Sequence, residues 1–106
     1  MPDFMGLMKQ AAQLQTKMQE LQVELDRIEV EGNAGGGMVT VTLSAKGELK
    51  GIKLDDSLLK ASEKEILEDL LVAAHADARR KAEAVMQEKM KGLTGGLPLP
   101  PGLSLP

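Results

Sequence analysis

Hydrophobic and small residues near the start of the chain recur at alternating spacings of three and four, the a/d pattern of a heptad repeat. These positions are Phe4, Leu7, Ala11, Leu14, Met18, Leu21, Leu25 and Ile28. The glutamines of the same stretch lie off this seam, as on a solvated helix face. The pattern predicts a helix over 4–27, and its length of about four heptads favours a helical hairpin or a short coiled coil over a fibre.

After the heptads the pattern changes to a period of two, which is typical of a strand with one buried face. The stretch IEVEG at 28–32 alternates apolar residues with glutamates and predicts a short strand. The stretch MVTVTLSA at 38–45 alternates strictly and is rich in β-branched residues, so it predicts a second strand. The residues expected on its buried face are Val39, Val41 and Leu43.

The third extended segment, ELKGIKL at 48–54, follows a Lys-Gly turn signal and predicts a returning strand. Its hydrophobic pattern contains a slip, because Leu49 and Ile52 are three residues apart and would face opposite sides of a regular strand. Gly51 lies inside this slip and marks a candidate β-bulge. Together the three segments predict a small antiparallel sheet of two to three strands.

A second helix is predicted over 63–91. Ser62 followed three residues later by Glu65 matches a capping box, and acidic residues fill the first turns, where the helix dipole favours them. Several alanines line the apolar stripe of this segment, so another element can approach it closely. Gly92 is the predicted stop.

These elements predict one α+β domain over 1–91, followed by a flexible tail at 92–106 that is mostly Gly, Pro and Leu. The leucines leave a docking role open for the tail. The 106-residue chain has no Cys, Trp or Tyr and one Phe, so we expect an aliphatic core and further burial by oligomerisation. No stretch has the pattern of a membrane span or a signal peptide, and the lack of Cys fits a cytoplasmic location.

The glycine-rich stretch GNAGGG at 32–37 raises the possibility of a phosphate-binding loop. Gly32 and Gly37 have the Walker spacing, but Met38 and Val39 occupy the positions of its Lys and Ser/Thr. The stretch also precedes a strand, whereas phosphate loops open onto the N-terminus of a helix. A tight reversal into the next strand, which needs glycine at positive φ, is the better interpretation.

No other group of residues predicts catalysis. His75 is the single histidine, and the chain has no cysteine to share a metal or act as a nucleophile, so we interpret His75 as a structural or surface residue. The acid-rich stretch at 63–69 could supply metal ligands or paired catalytic carboxylates, but capping of the helix dipole explains it more simply. We therefore expect no enzymatic activity, no cofactor and no metal.

The formal net charge of −3 argues against a nucleic-acid-binding protein unless the basic residues are concentrated in space. Residues 1–19 carry two lysines against one Asp, and residues 79–91 carry five basic residues against two Glu, a net charge of +3. A helix–hairpin–helix path can bring both segments to the same end of the molecule, away from the sheet. The candidate DNA-binding residues are Lys9, Lys17, Arg79, Arg80, Lys81, Lys89 and Lys91. On charge alone, a solvated helix face explains these residues equally well.

Most of the chain resembles the YbaB/EbfC family of small bacterial nucleoid-associated proteins. The stretches that carry the resemblance are LMKQAAQLQTKMQELQ, EVEGNAGGGMVTVTLSAKGELKGIKLDDSLL and EKEILEDLLVAAHADARRKAE, and the ending GLTGGLPLPPG also looks like the tail of the family. The resemblance implies a small antiparallel sheet joining two helices, in a homodimer whose projecting helices are likened to tweezers. It also implies binding of double-stranded DNA with weak or no sequence preference, a role in nucleoid organisation and gene expression, and no enzymatic activity.

Physical reasoning also favours a dimer, because a sheet of two or three strands has unpaired edges that a second copy can cover. The expected mode of DNA binding is neutralisation of phosphates by Lys and Arg at the helix ends, which makes affinity fall steeply with salt. Two alternatives stay open. One is a chaperone-like helical hairpin of the prefoldin type that binds other proteins, and the other is an accessory factor to DNA recombination and repair proteins.

Overall fold

The structure is a computed structural model, and it describes residues 3–94. The elements are α1 (Phe4–Arg27), β1 (Glu29–Ala34), β2 (Val39–Ser44), β3 (Leu49–Leu54) and α2 (Lys64–Thr94). The strands form one antiparallel sheet in the order β1-β2-β3. The α+β architecture expected from the sequence is therefore confirmed. None of the helices in the described part of the chain is long and apolar enough to cross a membrane.

The hydrophobic core lies between β2 and α2. Val39, Val41 and Leu43 are buried on one face of β2, as their alternation predicts, and Ala74 and Ala78 of α2 are buried with them. Alanines allow the helix to lie close to the sheet, so the core is thin and contains no aromatic residue. This position of α2 decides where its charged residues lie.

The turn between β1 and β2 is made by the three consecutive glycines. Gly35, Gly36 and Gly37 all have positive φ, of 65°, 66° and 93°, a conformation that other residues rarely adopt. The amide of Met38 donates to the carbonyl of Gly35 at 3.3 Å across this turn. The second half of the glycine-rich stretch, 35–37, is thus a hairpin turn between two strands, as its position before a strand predicts, whereas its first half, 32–34, belongs to β1.

A β-bulge interrupts β3 where the hydrophobic pattern slips. Thr42 of β2 pairs with Gly51, but the next residue, Leu43, pairs with Leu49, so Lys50 is an extra residue in the ladder. Because of this extra residue, Leu49 and Ile52 lie on the same face of the sheet instead of opposite faces. The bulge expected at Gly51 is confirmed, and it builds a continuous apolar face along β3.

α1 projects beyond the sheet. Its heptad seam becomes more exposed with distance from the sheet, from 4% at Leu25 to 42% at Met18, 56% at Leu7 and 71% at Phe4. α2 runs antiparallel to α1, because Lys81 contacts Glu31 whereas the later Lys89 contacts the earlier Glu24. The described residues extend over 74 × 27 × 16 Å, a shape that is long because α1 continues past the end of α2.

The predicted ends of α2 are wrong at both sides. Ser62 is not its N-cap, because residues 61–63 form a 3₁₀ turn in which the amide of Glu63 donates to the carbonyl of Lys60 at 2.9 Å, and α2 begins after it. Gly92 is not its stop, since the helix continues through Gly92 to Thr94. Residues 92–94 therefore belong to α2, and the rest of the predicted tail, 95–106, lies outside the described residues.

The strand bounds also differ slightly from the predicted ones. β1 covers 29–34 instead of 28–32, because its ladder with β2 continues through Asn33 and Ala34. β2 and β3 are each shorter than predicted, at 39–44 and 49–54. These shifts leave the side-chain alternation of β2 unchanged.

Candidate nucleic-acid interface

One side of the projecting part of α1 carries a polar strip with two lysines. The strip is lined by Lys9, Ala12, Gln13, Thr16, Lys17 and Glu20, which follow one another at the three- and four-residue spacings of a single helix face. Lys9 and Lys17 are exposed and form no ion pair with any carboxylate in residues 3–94. Their ammonium groups are therefore available to an anionic ligand.

The polar strip offers other donors between the two lysines. The hydroxyl of Thr16 donates to the carbonyl of Ala12 at 3.0 Å, so it is already used as a donor within the helix. The side-chain amide of Gln13 lies between the two lysines on the same face and is exposed. Amide and ammonium donors on one exposed helix face are typical of contacts to phosphate oxygens.

From the sequence, Gln13 is expected only as part of a solvated face, and Thr16 is not a candidate. Their spacing of four and seven residues from Lys9 was the available signal, because such residues share its side of a helix. The structure adds that this side is turned away from the other described residues.

Lys89 and Lys91 lie near the end of α2. The ammonium group of Lys89 contacts the carboxylate of Glu24 in α1, and this contact raises the pKa of Lys89. Lys89 thus joins the two helices and stays charged, with its charge compensated by Glu24, whereas Lys91 lies at the exposed end of α2. Both residues are away from the sheet, as expected.

Arg79, Arg80 and Lys81 lie over the sheet, and the expectation that they lie away from it is wrong. The ammonium group of Lys81 donates to the carbonyl of Glu31 in β1 at 2.8 Å. The cause is the close packing of the middle of α2 on the sheet, where Ala78 and Ala82 are buried. The basic residues of α2 therefore form two groups, one over the sheet at 79–81 and one near the end of the helix at 89–91, instead of one patch.

Each of these three cations is paired with a carboxylate of α2. Nη2 of Arg79 lies 3.5 Å from Glu83, Nη2 of Arg80 lies 3.3 Å from Asp77, and Nζ of Lys81 lies 3.2 Å from Asp77. Arg79 and Arg80 are largely exposed, so these pairs are weak and can exchange with solvent or another anion.

Asp77 links α2 to the edge of the sheet. Its carboxylate accepts a hydrogen bond from the backbone amide of Asn33 at 3.0 Å, in addition to its contacts with Lys81 and Arg80. These interactions, with the Asn33 amide first and Lys81 second, lower the pKa of Asp77. Asp77 and Lys81 thus serve the packing of α2 on β1 and leave little of Lys81 for a ligand.

A cleft of about 310 Å³ between α2 and the β2–β3 turn contains a cation that the sequence analysis did not consider. Lys46 lines it together with His75 and Arg79, and its ammonium group lies 3.3 Å from Asp26. The sequence marks Lys46 only as a turn residue. Among the described residues, no three His, Asp or Glu side chains come together as a metal site would require.

Comparison with known proteins adds an independent line of information. The profile of the YbaB/EbfC DNA-binding family matches residues 1–97. A nucleoid-associated protein from Rhodopseudomonas palustris (strain TIE-1) is 70% identical over 105 residues and covers 99% of each chain. A protein of the same description from Methylocella silvestris is 61% identical over 106 residues, which are 100% of this chain and 99% of that one.

A solved structure shares the fold. The crystal structure of an uncharacterized protein, HP0035, from Helicobacter pylori superposes with a TM-score of 0.79 at 26% identity and covers 90% of this chain and 100% of that one. The order of helices and strands is thus found in an experimentally solved protein.

Proposed function

The chain belongs to the YbaB/EbfC DNA-binding family, which is not a family of enzymes, and we propose that it binds double-stranded DNA with little sequence preference through phosphate contacts. The single observation that carries this proposal is the polar strip of α1. It presents Lys9 and Lys17, unpaired among the described residues, on a helix that projects beyond the rest of the fold. Arg79, Arg80, Lys89 and Lys91 are proposed as additional contacts that first exchange their intramolecular partners.

The shape of α1 fits this mode of binding. A helix with its side chains is about 10–12 Å wide, and the major groove of B-DNA is about 12 Å wide. The polar side of such a helix can therefore approach the phosphates that border a groove. The strip contains two Lys, one Gln, one Thr, one Ala and one Glu but no aromatic side chain that could stack on bases, which favours phosphate contacts over sequence reading.

Fluorescence anisotropy with two unrelated duplexes, at low and physiological salt, tests this proposal. We expect similar affinities for both duplexes and a steep loss with salt. The Lys9→Ala/Lys17→Ala variant should reduce the steepness of the fall of log K with log salt by about 1.8 for each copy of α1 that contacts the duplex, since each phosphate contact contributes about 0.9. Arg79→Ala/Arg80→Ala should have a smaller effect, because these residues already have carboxylate partners.

A matched control removes the same charge elsewhere. Lys60→Ala/Lys64→Ala deletes two exposed lysines next to and at the start of α2, outside the polar strip and outside β3. Equal loss of affinity in this control and in Lys9→Ala/Lys17→Ala would contradict a site on α1. An absence of binding to both duplexes at low salt would contradict DNA binding itself.

We also propose that the functional unit is a homodimer. Its interface is the β3 groove, a depression of about 280 Å³ lined by Val41, Leu49, Ile52, Leu71, Val72 and His75. α2 leaves this apolar face uncovered, so that Leu49, Ile52 and Val72 are 57%, 46% and 71% exposed. A second copy related by a two-fold axis would cover this face with the same face of its own.

The homodimer would present two copies of α1 to the same duplex. Two sites linked in one molecule bind more tightly than either alone, because the second contact is intramolecular. The names of the relatives support a place on the nucleoid, and hence in the bacterial cytoplasm. Organisation of the nucleoid, with effects on gene expression, is the biological role that we propose.

A further inference from the structure

The apolar side of the projecting helix is uncovered in the described part of the chain. We call it the α1 seam, and it consists of Phe4, Leu7, Ala11, Leu14 and Met18, all of them exposed. A helical segment of this length is marginally stable in water unless its apolar face is packed against something. A continuous exposed apolar stripe of this kind marks an interaction surface.

The end of α2 lies at the base of the α1 seam. Lys89 contacts Glu24, and α2 ends only five residues later, at Thr94, whereas α1 extends twenty residues from Glu24 back to Phe4. At 1.5 Å per residue, α1 reaches roughly 22 Å farther than α2. The chain that follows Thr94 therefore starts beside the point where the seam begins to be uncovered.

The segment 95–106 has the composition and the length to cover the seam. It contains four leucines, four prolines and no charged residue, so burying it removes no charge from water. Twelve residues at about 3.1 Å each can span about 37 Å, and the seam from Met18 to Phe4 is about 21 Å long. Prolines also restrict the free segment, which reduces the conformational entropy lost on docking.

We propose that residues 95–106 dock along the α1 seam of their own chain, with the leucines packed on Leu7, Leu14 and Met18. The occupant is favoured over a separate molecule because the tether keeps its local concentration high. The leucines available for this contact are Leu97, Leu99, Leu103 and Leu105.

Docking on the seam leaves most of the polar strip free. With about 100° of rotation per residue, Lys9 lies roughly 140–160° around α1 from Leu7 and Leu14, and Lys17 lies roughly 60–80° from them, at the edge of the docked side. The docked segment thus supports the helix from its apolar side while its basic side faces the DNA. This inference does not depend on the proposed DNA binding, and its test uses no DNA.

Paramagnetic relaxation enhancement tests the docking. The chain has no cysteine, so Ser104→Cys gives one attachment point for a nitroxide label in the full-length protein. We expect the amide signals of residues 4–18 to lose intensity relative to the same sample after reduction of the nitroxide. Loss of intensity confined to residues near the end of α2, or centred on the β3 groove, would overturn the proposal.

Two controls separate specific docking from proximity and from contacts between molecules. The same label in a variant with Leu97, Leu99, Leu103 and Leu105 all changed to Ser should no longer broaden α1. Persistent broadening in that variant would show mere tethering and overturn the proposal. A mixture of ¹⁵N-labelled unmodified chain with unlabelled nitroxide-bearing chain should show no broadening of α1, and broadening there would assign the docking to a second copy.

Discussion

Gly32 lies where β1 crosses α2, and it is the residue at which a single methyl group should be most harmful. A Cβ at this position would lie 2.2 Å from the carbonyl oxygen of Ala74 and 2.2 Å from the amide nitrogen of Ala78. Both are backbone atoms of α2, so the helix would have to move away from the sheet. We predict that Gly32→Ala lowers the free energy of unfolding by about 3 kcal/mol, as overpacking in a rigid core does.

Gly51→Ala is the matched control for this prediction. Gly51 is also in a strand, but a Cβ there meets no atom within 4 Å, so its unfolding free energy should change little. Urea denaturation of both variants at one fixed protein concentration measures the difference, because oligomerisation would otherwise alter apparent stability. Equal destabilisation by the two substitutions would show that the crossing is looser than the distances indicate.

Asp77 should contribute to the loss of folding stability at acid pH, and one substitution should remove this contribution. Its pKa is lowered by the hydrogen bond from the Asn33 amide, by Lys81 and by Arg80. A lowered pKa in the folded state stabilises the fold above the ordinary Asp value of about 3.9, and this contribution is lost as the pH falls through the folded value. In Asp77→Asn, stability should therefore fall less steeply below about pH 4 than in the unchanged protein.

The direct measurement is an NMR titration of the Asp77 carboxyl carbon. Its midpoint should lie below about 3.9. The Asn side chain keeps an oxygen that can accept the Asn33 amide hydrogen bond, so the variant should fold. A midpoint at or above the ordinary value would show that the contact with β1 is not maintained in solution.

At the scale of elements, α2 offers a test of where a helix ends. Gly92 lies inside the helix and Gly36 lies in the β1–β2 turn at a φ of 66°, yet a Cβ at either position meets no atom within 4 Å. Only backbone conformation distinguishes them. Gly92→Ala should increase helicity and stabilise by up to about 1 kcal/mol, whereas Gly36→Ala should destabilise by about 1–2 kcal/mol.

Circular dichroism during thermal unfolding measures both effects. A loss of helicity in Gly92→Ala would indicate that α2 stops before this residue, as the sequence alone predicts. The comparison is informative because neither substitution creates a steric overlap. It separates the helical and left-handed conformations of glycine without changing a contact.

Local hydrophobic patterns predict the helices and strands well because these elements depend mainly on residues that are close in sequence. The period of two in β2 correctly predicts that the face carrying Val39, Val41 and Leu43 is buried. The slip in the pattern around Gly51 correctly predicts the bulge in β3. The predicted start of α2 is wrong because a 3₁₀ turn competes with the capping box, and both involve residues 62 and 63. Sequence does not decide between two local hydrogen-bond patterns of similar energy.

The candidate site is harder to predict because its arrangement depends on tertiary packing. The sequence shows that Arg79, Arg80 and Lys81 are basic neighbours in α2, but not which residues of the sheet lie opposite them. Lys81 donates to the carbonyl of Glu31, fifty residues earlier in the chain, and this contact follows from the close approach of α2 to Gly32. The lysines of α1 are different, since nothing in the described chain packs on their side of the helix.

At the scale of the whole molecule, the described residues leave an apolar face of the sheet uncovered. α2 covers β1 and β2, while β3 is an edge strand whose apolar residues Leu49 and Ile52 remain exposed. The bulge at Lys50 places both on the same side, which gives β3 a continuous apolar face despite its irregular sequence pattern. This is the face that the proposed homodimer would cover.

Ile52→Lys should therefore dissociate the proposed homodimer. Burial of one such side chain contributes about 1.5 kcal/mol or more, and a two-fold axis places the substitution in the interface twice, so the dimer dissociation constant should rise by about 100-fold or more. Val23→Lys is the control, because Val23 is also half exposed but lies on α1, outside the β3 groove. Sedimentation equilibrium over a range of concentrations should give a monomer for Ile52→Lys and a dimer for Val23→Lys. A dimer of unchanged strength in Ile52→Lys would place the interface elsewhere, and dissociation by Val23→Lys alone would place it on α1.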